Sequence, residues 1–285
     1  MTPGPGGPAG RPDGAGRTAA PALAVRNPRV QRLRRLGRDP RVRRDEGAYL
    51  VEGEKLVTAA LAAGVHVEGV YSAGGWDGAA LQSAAAAGVP THVLAPGVLE
   101  RVSDTVAPQP VLAIVAVAGA ELESLRAPAV SGGGPVVVCV EVRDPGNLGT
   151  IARSALAAGA TGIISCDGNA DLYAPKCVRA SAGAVFHLRV VVGGAPVEVL
   201  EELGSWGMHR LGARATGGTP YDATDLCRPT ALVFGNEAHG LSPDVEAALD
   251  GLVSIPMAQP AESLNVAAAA AILCFEAARQ KRSRP

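Results

Sequence analysis

Val136-Val137-Val138-Cys139-Val140 runs without a polar side chain and then breaks into Glu141-Val142-Arg143-Asp144-Pro145-Gly146-Asn147-Leu148-Gly149-Thr150-Ile151-Ala152-Arg153. A short continuous apolar run is what a strand covered on both sheet faces requires. The Pro- and Gly-bearing loop after it leads into a helical pattern over Ile151–Ala158 that closes at Gly159, so the stretch is a strand–loop–helix unit. Two further segments repeat the arrangement: Ala231–Phe234 into Gly235-Asn236-Glu237-Ala238-His239-Gly240-Leu241-Ser242, and Leu252–Ile255 into Pro256-Met257 and then Ser263-Leu264-Asn265-Val266-Ala267. Each places polar groups where a strand end meets a helix N-terminus, and loops there present backbone N–H and C=O groups to a ligand.

Working outward, the rest of the second half alternates in the same way. Strands are expected at Gly162–Cys166, Phe186–Val192 and His209–Ala213. Helices are expected at Pro175–Ser181, Val197–Leu203, Pro243–Leu249 and Ser263–Arg279. This predicts a mostly parallel sheet with helices on both faces and a ligand at the carboxyl ends of its strands. Upstream, residues 26–118 read as a smaller α/β domain. Its strands are Tyr49–Val51, Val65–Tyr71, Thr91–Leu94 and Val111–Val117, and its helices are Glu54–Ala63, Ala79–Ala87 and Leu99–Asp104. Residues 119–134, ending in Ser131-Gly132-Gly133-Gly134, read as a linker to a second domain over 135–285. Residues 1–25, rich in Gly, Pro and Ala, read as a disordered tail.

The chain has 285 residues, enough for one large or two ordinary domains, with 47% hydrophobic but only 3% aromatic residues, so its cores must be aliphatic. The net charge of −1 conceals a cluster of arginines at positions 26, 29, 32, 34, 35, 38, 41, 43 and 44. Such a cluster suits a nucleic-acid contact, and equally a solvated helix face or a basic arm. Cys139, Cys166, Cys177, Cys227 and Cys274 form no CxxC pair and no zinc-like grouping with His, so no metal is expected and the thiols suit a reducing cytoplasm. No stretch is apolar enough for a bilayer span. His66, His92, His187 and His209 read as packing, and His239 as a loop residue. A dinucleotide-binding enzyme lacks support, because no Gly-x-Gly-x-x-Gly follows a strand.

Together the three segments resemble the motifs of the SpoU/TrmH branch of the SPOUT methyltransferases. Asn147-x-Gly149-x-Ile151-x-Arg153 is similar to the first motif, Phe234-Gly235-Asn236-Glu237-x-x-Gly240-Leu241 to the second, and Ile255-Pro256-Met257 with Ser263-Leu264-Asn265-Val266-Ala267 to the third. Residues 27–118 resemble, through Val51-Glu52-Gly53, the L30e-like RNA-binding domain that precedes the catalytic domain in many members. The resemblance implies a C-terminal trefoil-knotted domain, S-adenosylmethionine as cofactor, RNA as substrate and a homodimer. The RNA is expected to be ribosomal and its ribose 2′-hydroxyl the acceptor. A transfer-RNA ribose methyltransferase, a base methyltransferase and a non-catalytic RNA-binding protein are the rival readings. It further implies cofactor contacts from Phe234, Gly235, Asn236, Ile255, Met257, Ser263, Leu264 and Ala267, and catalytic or positioning roles for Asn147, Arg153, Glu237, Ser263 and Asn265. A guanidinium stays protonated to about pH 12 and above. Arg153 is therefore expected to act as a cation beside the reacting hydroxyl; outside the motif it would read as a surface ion pair. Asn147 and Ser263 could equally cap helices, and Glu237 could be a solvated loop residue. The RNA is expected to meet Arg29, Arg32, Arg35, Arg41 and Arg44.

Overall fold

A computed structural model describes residues 21–259 and 262–283. The first unit contains α1 (Pro28–Arg38), α2 (Pro40–Glu46), β1 (Ala48–Glu52), α3 (Glu54–Ala62), β2 (Val67–Ala73), α4 (Ala79–Ala86), β3 (Thr91–Leu94), α5 (Leu99–Val102) and β4 (Val111–Ala116). The arginine-rich stretch is two helices because Pro40 lacks the N–H that would continue α1, and Asp39 caps the second through Arg41 N. The strands lie in the order β1-β4-β2-β3, antiparallel except for β2 beside β3. Val30, Leu33 and Leu36 recur on one face of α1 and pack on one side of this sheet with Leu50, Leu112 and Ile114. Of the tail expected over residues 1–25, residues 1–20 lie outside the described residues. Residues 21–25 are placed, and Leu23 bridges to Leu94, so a packable Leu among the Pro and Ala residues gives this part a fixed position where disorder was expected.

A short connector, α6 (Arg126–Val130), leads to the second unit. This contains β5 (Val136–Cys139), α7 (Pro145–Ala157), β6 (Gly162–Ser165), α8 (Pro175–Ser181), β7 (Val190–Val192), α9 (Pro196–Ser205), β8 (His209–Arg214), β9 (Thr219–Pro220), β10 (Thr230–Phe234), α10 (Pro243–Ala247), β11 (Gly251–Ser254) and α11 (Val266–Arg282). The sheet order is β7-β6-β5-β10-β8-β11-β9, and every pairing is parallel. The period of two divides each central strand between two cores. Val137, Cys139, Leu232 and Phe234 face α7, α8 and α11, whereas Val136, Val138, Ala231 and Val233 face α6, α9 and α10. From β5 the chain first builds outward through β6 and β7, then crosses back to build on the other side. The strand order therefore switches beside β10, where open parallel sheets bind ligands.

Three elements start three or more residues away from where the sequence placed them. Helix α7 begins at Pro145, because Pro is tolerated in a first turn and Asp144 caps it through Asn147 N at 2.9 Å. Asn147 is thus a first-turn residue and not the cap. Helix α11 begins at Val266, with Asn265 and not Ser263 as its cap. Phe186 belongs to a 3-10 turn over Ala184–Phe186, and the strand there is only Val190–Val192.

The two units share a core. Tyr49 and Val51 of β1 belong to the same apolar cluster as Tyr173, Val178 and Phe186, with the rings of Tyr49 and Tyr173 centred 4.8 Å apart. Arg43, 5% exposed, donates from Nε to Asp171 Oδ2 at 2.7 Å and from Nη1 to Leu36 O at 2.6 Å. Arg179 of α8 grips Asp104 with two hydrogen bonds, 2.7 and 3.1 Å long. The buried thiols are structural: burial pushes Cys166 and Cys274 up to about 12, which keeps them protonated and unreactive. Among the described residues no helix is long and apolar enough to cross a membrane, and no cluster of His, Cys, Asp and Glu is arranged to hold a metal ion.

Where β8 and β11 start, Arg210 holds Asp250 through Nε at 2.9 Å and Nη2 at 2.7 Å. The guanidinium bonds outweigh partial burial and bring the Asp250 carboxyl down to about 2. That value lies below the unfolded one of about 3.9, so the pair's stabilisation is complete above that pH and disappears as pH falls through about 2. Asp250 is one-third exposed, so solvent screening reduces the contribution to about 1 kcal/mol. Urea titrations of wild type and Asp250→Asn are expected to differ by that amount at pH 7 and to converge between pH 4 and 2; a gap that widens in acid would contradict the assignment.

Candidate active site

The carboxyl ends of β8, β10 and β11 open on a cleft of about 540 Å³. Its floor is Phe234, Val253 and Leu273; its rim comes from Ala213–Thr216, Gly235–Leu241, and Ile255, Met257, Ser263 and Leu264. The Phe234–Leu241 segment is a tight hairpin in which Asn236 and Gly240 exchange backbone hydrogen bonds of 2.9 Å in both directions. Asn236 Oδ1 accepts from Ala238 N and His239 N, which turns the loop. A Cβ on Gly235 would stand 2.5 Å from Gly240 O, so only glycine permits that closure.

Beside the cleft, three polar side chains from the three motif loops meet. Asn147 Nδ2 donates to Glu237 Oε1 at 3.0 Å, and Asn265 Nδ2 donates to Asn147 Oδ1 at 3.0 Å. Glu237 also accepts from the backbone N–H groups of Arg143 and Asp144, each at 3.3 Å. Burial alone would raise the Glu237 carboxyl, but the bond from Asn147 and those backbone donors outweigh it and hold its pKa below the usual range. Asn265 does two jobs at once: its Oδ1 caps α11 through Ala267 N at 2.9 Å while its Nδ2 reaches Asn147. Lys176 donates to Asp144 Oδ2 at 2.7 Å; that bond, with the one from Asn147 N, depresses the Asp144 pKa.

Of the residues expected at the cofactor, Phe234, Gly235, Asn236, Ile255, Met257, Ser263 and Leu264 line the cleft. Ala267 does not: it is 4% exposed in the core with Ala270 and Cys274. The helix starts at Val266, so its i, i+3, i+7 face, Val266, Ala269 and Leu273, is the one turned to the cleft. Arg153 is exposed on α7 and outside the cleft lining. Six residues beyond Asn147, it lies about 9 Å further along the helix and some two-thirds of a turn round. Sequence reasoning missed Ala213–Thr216 and Glu246, which also line the cleft; they stand at the end of β8, in the loop after it and in α10, outside the three motif loops, and only the folded sheet brings them there. In the amino-terminal unit Arg29, Arg35, Arg41 and Arg44 are exposed. Arg32 is ion-paired with Glu46 and Glu68, each at 2.5 Å, and Arg35 stands 3.6 Å from Glu46.

The apolar walls and the glycine-closed hairpin suit a nucleoside with a charged tail, and S-adenosylmethionine has that composition. A model of the SpoU rRNA methylase family matches residues 134–275, and one of the MRM3-like substrate binding domain matches residues 27–113. A 23S rRNA (guanosine(2553)-2′-O)-methyltransferase of Bacillus subtilis, RlmP, is 33% identical over 80% of this chain and 87% of its own length. The chain belongs to the SpoU rRNA methylase family. It is accordingly an RNA methyltransferase that uses S-adenosylmethionine. A 23S rRNA (uridine(2479)-2′-O)-methyltransferase of Streptomyces viridochromogenes is 32% identical over 93% of the chain and 94% of its own length. Among solved structures, the SpoU methyltransferase AviRb from that organism in complex with AdoMet superposes with a TM-score of 0.82 at 33% identity, covering 91% of this chain and all of that one.

Proposed function

We propose that this SpoU-family chain methylates a ribose 2′-hydroxyl of ribosomal RNA, with the cofactor in the 540 Å³ cleft and the ribose at the Asn147–Glu237–Asn265 cluster. The observation that carries this is the mutual hydrogen bonding of those three side chains at the cleft edge. Together they offer donors and acceptors matched to a ribose edge, and fixed geometry is what an in-line transfer needs. S-adenosylmethionine supplies an electrophilic methyl on a sulfonium. Phe234, Ile255, Met257 and Leu264 would enclose its adenosyl part and exclude water, while Glu237, held ionised, orients Asn147. Arg153 would bind the phosphate next to the target and favour loss of the hydroxyl proton to solvent, a role its exposed position suits. The ribosomal assignment is supported by the 23S rRNA targets named for the relatives in Bacillus subtilis and Streptomyces viridochromogenes. The domain division expected from sequence, 26–118 for RNA and 135–285 for catalysis, is retained, as are the trefoil knot and the homodimer. Phe275 of α11, 46% exposed, suits a symmetric helix contact; a monomeric mass in light scattering would remove the dimer from the proposal.

Calorimetric titration with S-adenosylmethionine, followed by transfer of labelled methyl to in vitro transcribed 23S rRNA, tests the reading. Binding without transfer would favour a non-catalytic RNA-binding protein, and transfer to transfer RNA alone would displace the ribosomal assignment. The arginines give a separate expectation. Each phosphate contact contributes roughly 0.7–0.9 to the salt dependence of RNA affinity, so Arg41→Ala/Arg44→Ala is expected to lower the slope of log K against log salt by roughly 1.5. Arg32→Ala is expected to leave the slope unchanged, because its guanidinium already belongs to Glu68 and Glu46. Equal slope changes in both variants would contradict that division.

A further inference from the structure

Glu141 adopts φ 54°, a left-handed conformation that costs a non-glycine residue about 1 kcal/mol. It stands between β5 and the Arg143 and Asp144 N–H groups that receive Glu237. A strained residue keeps its conformation only when its surroundings over-determine it, and here two clamps do so. On one side Asn236 Nδ2 donates to Glu141 O at 3.0 Å. On the other, Asn169 Oδ1 accepts from Val142 N at 2.6 Å, while its Nδ2 donates to Cys139 O at 2.6 Å and Cys166 O at 2.8 Å. Ala170 N adds a bond to Val142 O at 2.9 Å. Asn169 thus ties the end of β6 to the departure of the chain from β5, and neither it nor Val142 lines the cofactor cleft.

We propose that Asn169 is a positioning residue for methyl transfer: it holds Val142, and so the Arg143–Asp144 segment, in the register that lets Glu237 orient Asn147. The inference rests on the proposed function, in which that cluster meets the ribose. The loop also carries Asp171, the partner of Arg43, so the unit that would grip the RNA and the segment that would meet its ribose are held by one stretch of chain. Release of the clamp lets Glu141 relax toward the β region and swings the two N–H groups away. A displacement of about 1 Å in a reacting geometry costs up to about 100-fold in rate.

The test uses the full chain, S-adenosylmethionine and in vitro transcribed 23S rRNA. Asn169→Ala is expected to lower kcat by about 10- to 100-fold while leaving the calorimetric Kd for S-adenosylmethionine and the KM for RNA within about threefold of wild type. Glu141→Gly removes the left-handed penalty, so in the Asn169→Ala background it is expected to recover most of the lost kcat, measured against Glu141→Gly alone. A role confined to stability would lower the melting temperature of Asn169→Ala but leave kcat per folded molecule, scaled by far-UV circular dichroism, unchanged. If Asn169→Ala does not accumulate as folded protein, Asn169→Asp, which keeps the Val142 acceptor and loses both donors, is measured in its place and is expected to lose about tenfold. Wild type that transfers no methyl would refute the proposed function. An active wild type with kcat unchanged in the variant, or a kcat loss matched by an equal loss of cofactor affinity or not recovered by Glu141→Gly, would overturn this inference alone.

Discussion

Glu237→Ala is expected to lower kcat by about 100-fold, equivalent to about 2.7 kcal/mol of transition-state stabilisation. The carboxylate receives Asn147 Nδ2 at 3.0 Å and two backbone N–H groups at 3.3 Å. Its removal strands all of these donors and leaves Asn147 held only through the Asn265 amide. An Asn free to rotate about χ2 no longer presents one face to a ribose, so the loss falls on the oriented complex. Glu237→Gln keeps the shape but turns an NH₂ toward one of the donors, and an intermediate loss of about tenfold is expected. Glu237 also borders the cleft, so the cofactor Kd, measured separately by calorimetry, is expected to change less than kcat. Its pKa lies below the ordinary Glu value, so the carboxylate stays ionised down to and below about pH 4.3. The kcat–pH profile is therefore expected to show no acid limb from this group above that value. Wild-type turnover by Glu237→Ala would show that the cluster is ornamental.

Gly149→Ala is expected to destabilise the protein by about 3 kcal/mol, and Gly149→Val to prevent its accumulation as folded protein. On propensity alone Gly→Ala in a helix interior gains about 1 kcal/mol. Here the space is occupied: a Cβ on Gly149 would clash with Cys177 O and stand 2.8 Å from Ala180 Cβ and 3.0 Å from Ser181 N. These are backbone or β-carbon atoms that no rotamer change moves, so α8 must retreat from α7, and such overpacking costs about 1–3 kcal/mol or more. The clash therefore wins over the propensity. Helix α8 also carries Lys176 to Asp144 and Arg179 to Asp104, so its displacement disturbs both the α7 cap and the contact between the units. Urea unfolding followed by far-UV circular dichroism measures the change; a Gly149→Ala variant more stable than wild type would contradict the close approach.

The sequence shows most clearly what repeats locally. Apolar runs such as Val136–Val140 announced the buried strands, and the three loops after them contained the residues that meet at the cleft. The helix starts were less visible. Nothing local distinguishes a cap from a first-turn residue at Asn265, two positions after another candidate cap, Ser263. The structure resolves this by giving Asn265 the cap and the link to Asn147 together. Ala267 packs in the core with Ala270 and Cys274 and does not line the cleft, a distinction that the run of alanines around it does not reveal. Arg43 shows a different limit. Within its run it is indistinguishable from Arg41 and Arg44, yet it is buried on Asp171, 128 positions away, and only tertiary contact separates it from the exposed pair. Arg214–Thr216 at the cleft, and Asn169 beneath the first motif loop, likewise act through long-range contacts that leave no periodicity.

In the proposed function the three loops hold S-adenosylmethionine beside a ribose bound by Asn147, Glu237 and Asn265. Incubation of the protein with methyl-labelled cofactor and in vitro transcribed 23S rRNA, followed by complete nuclease digestion and separation of the nucleosides, tests it most directly. Label in a single 2′-O-methylnucleoside, abolished when Asn147 and Glu237 are both replaced by Ala, is the expected result. Label on a base, or label undiminished in that double variant, would contradict it.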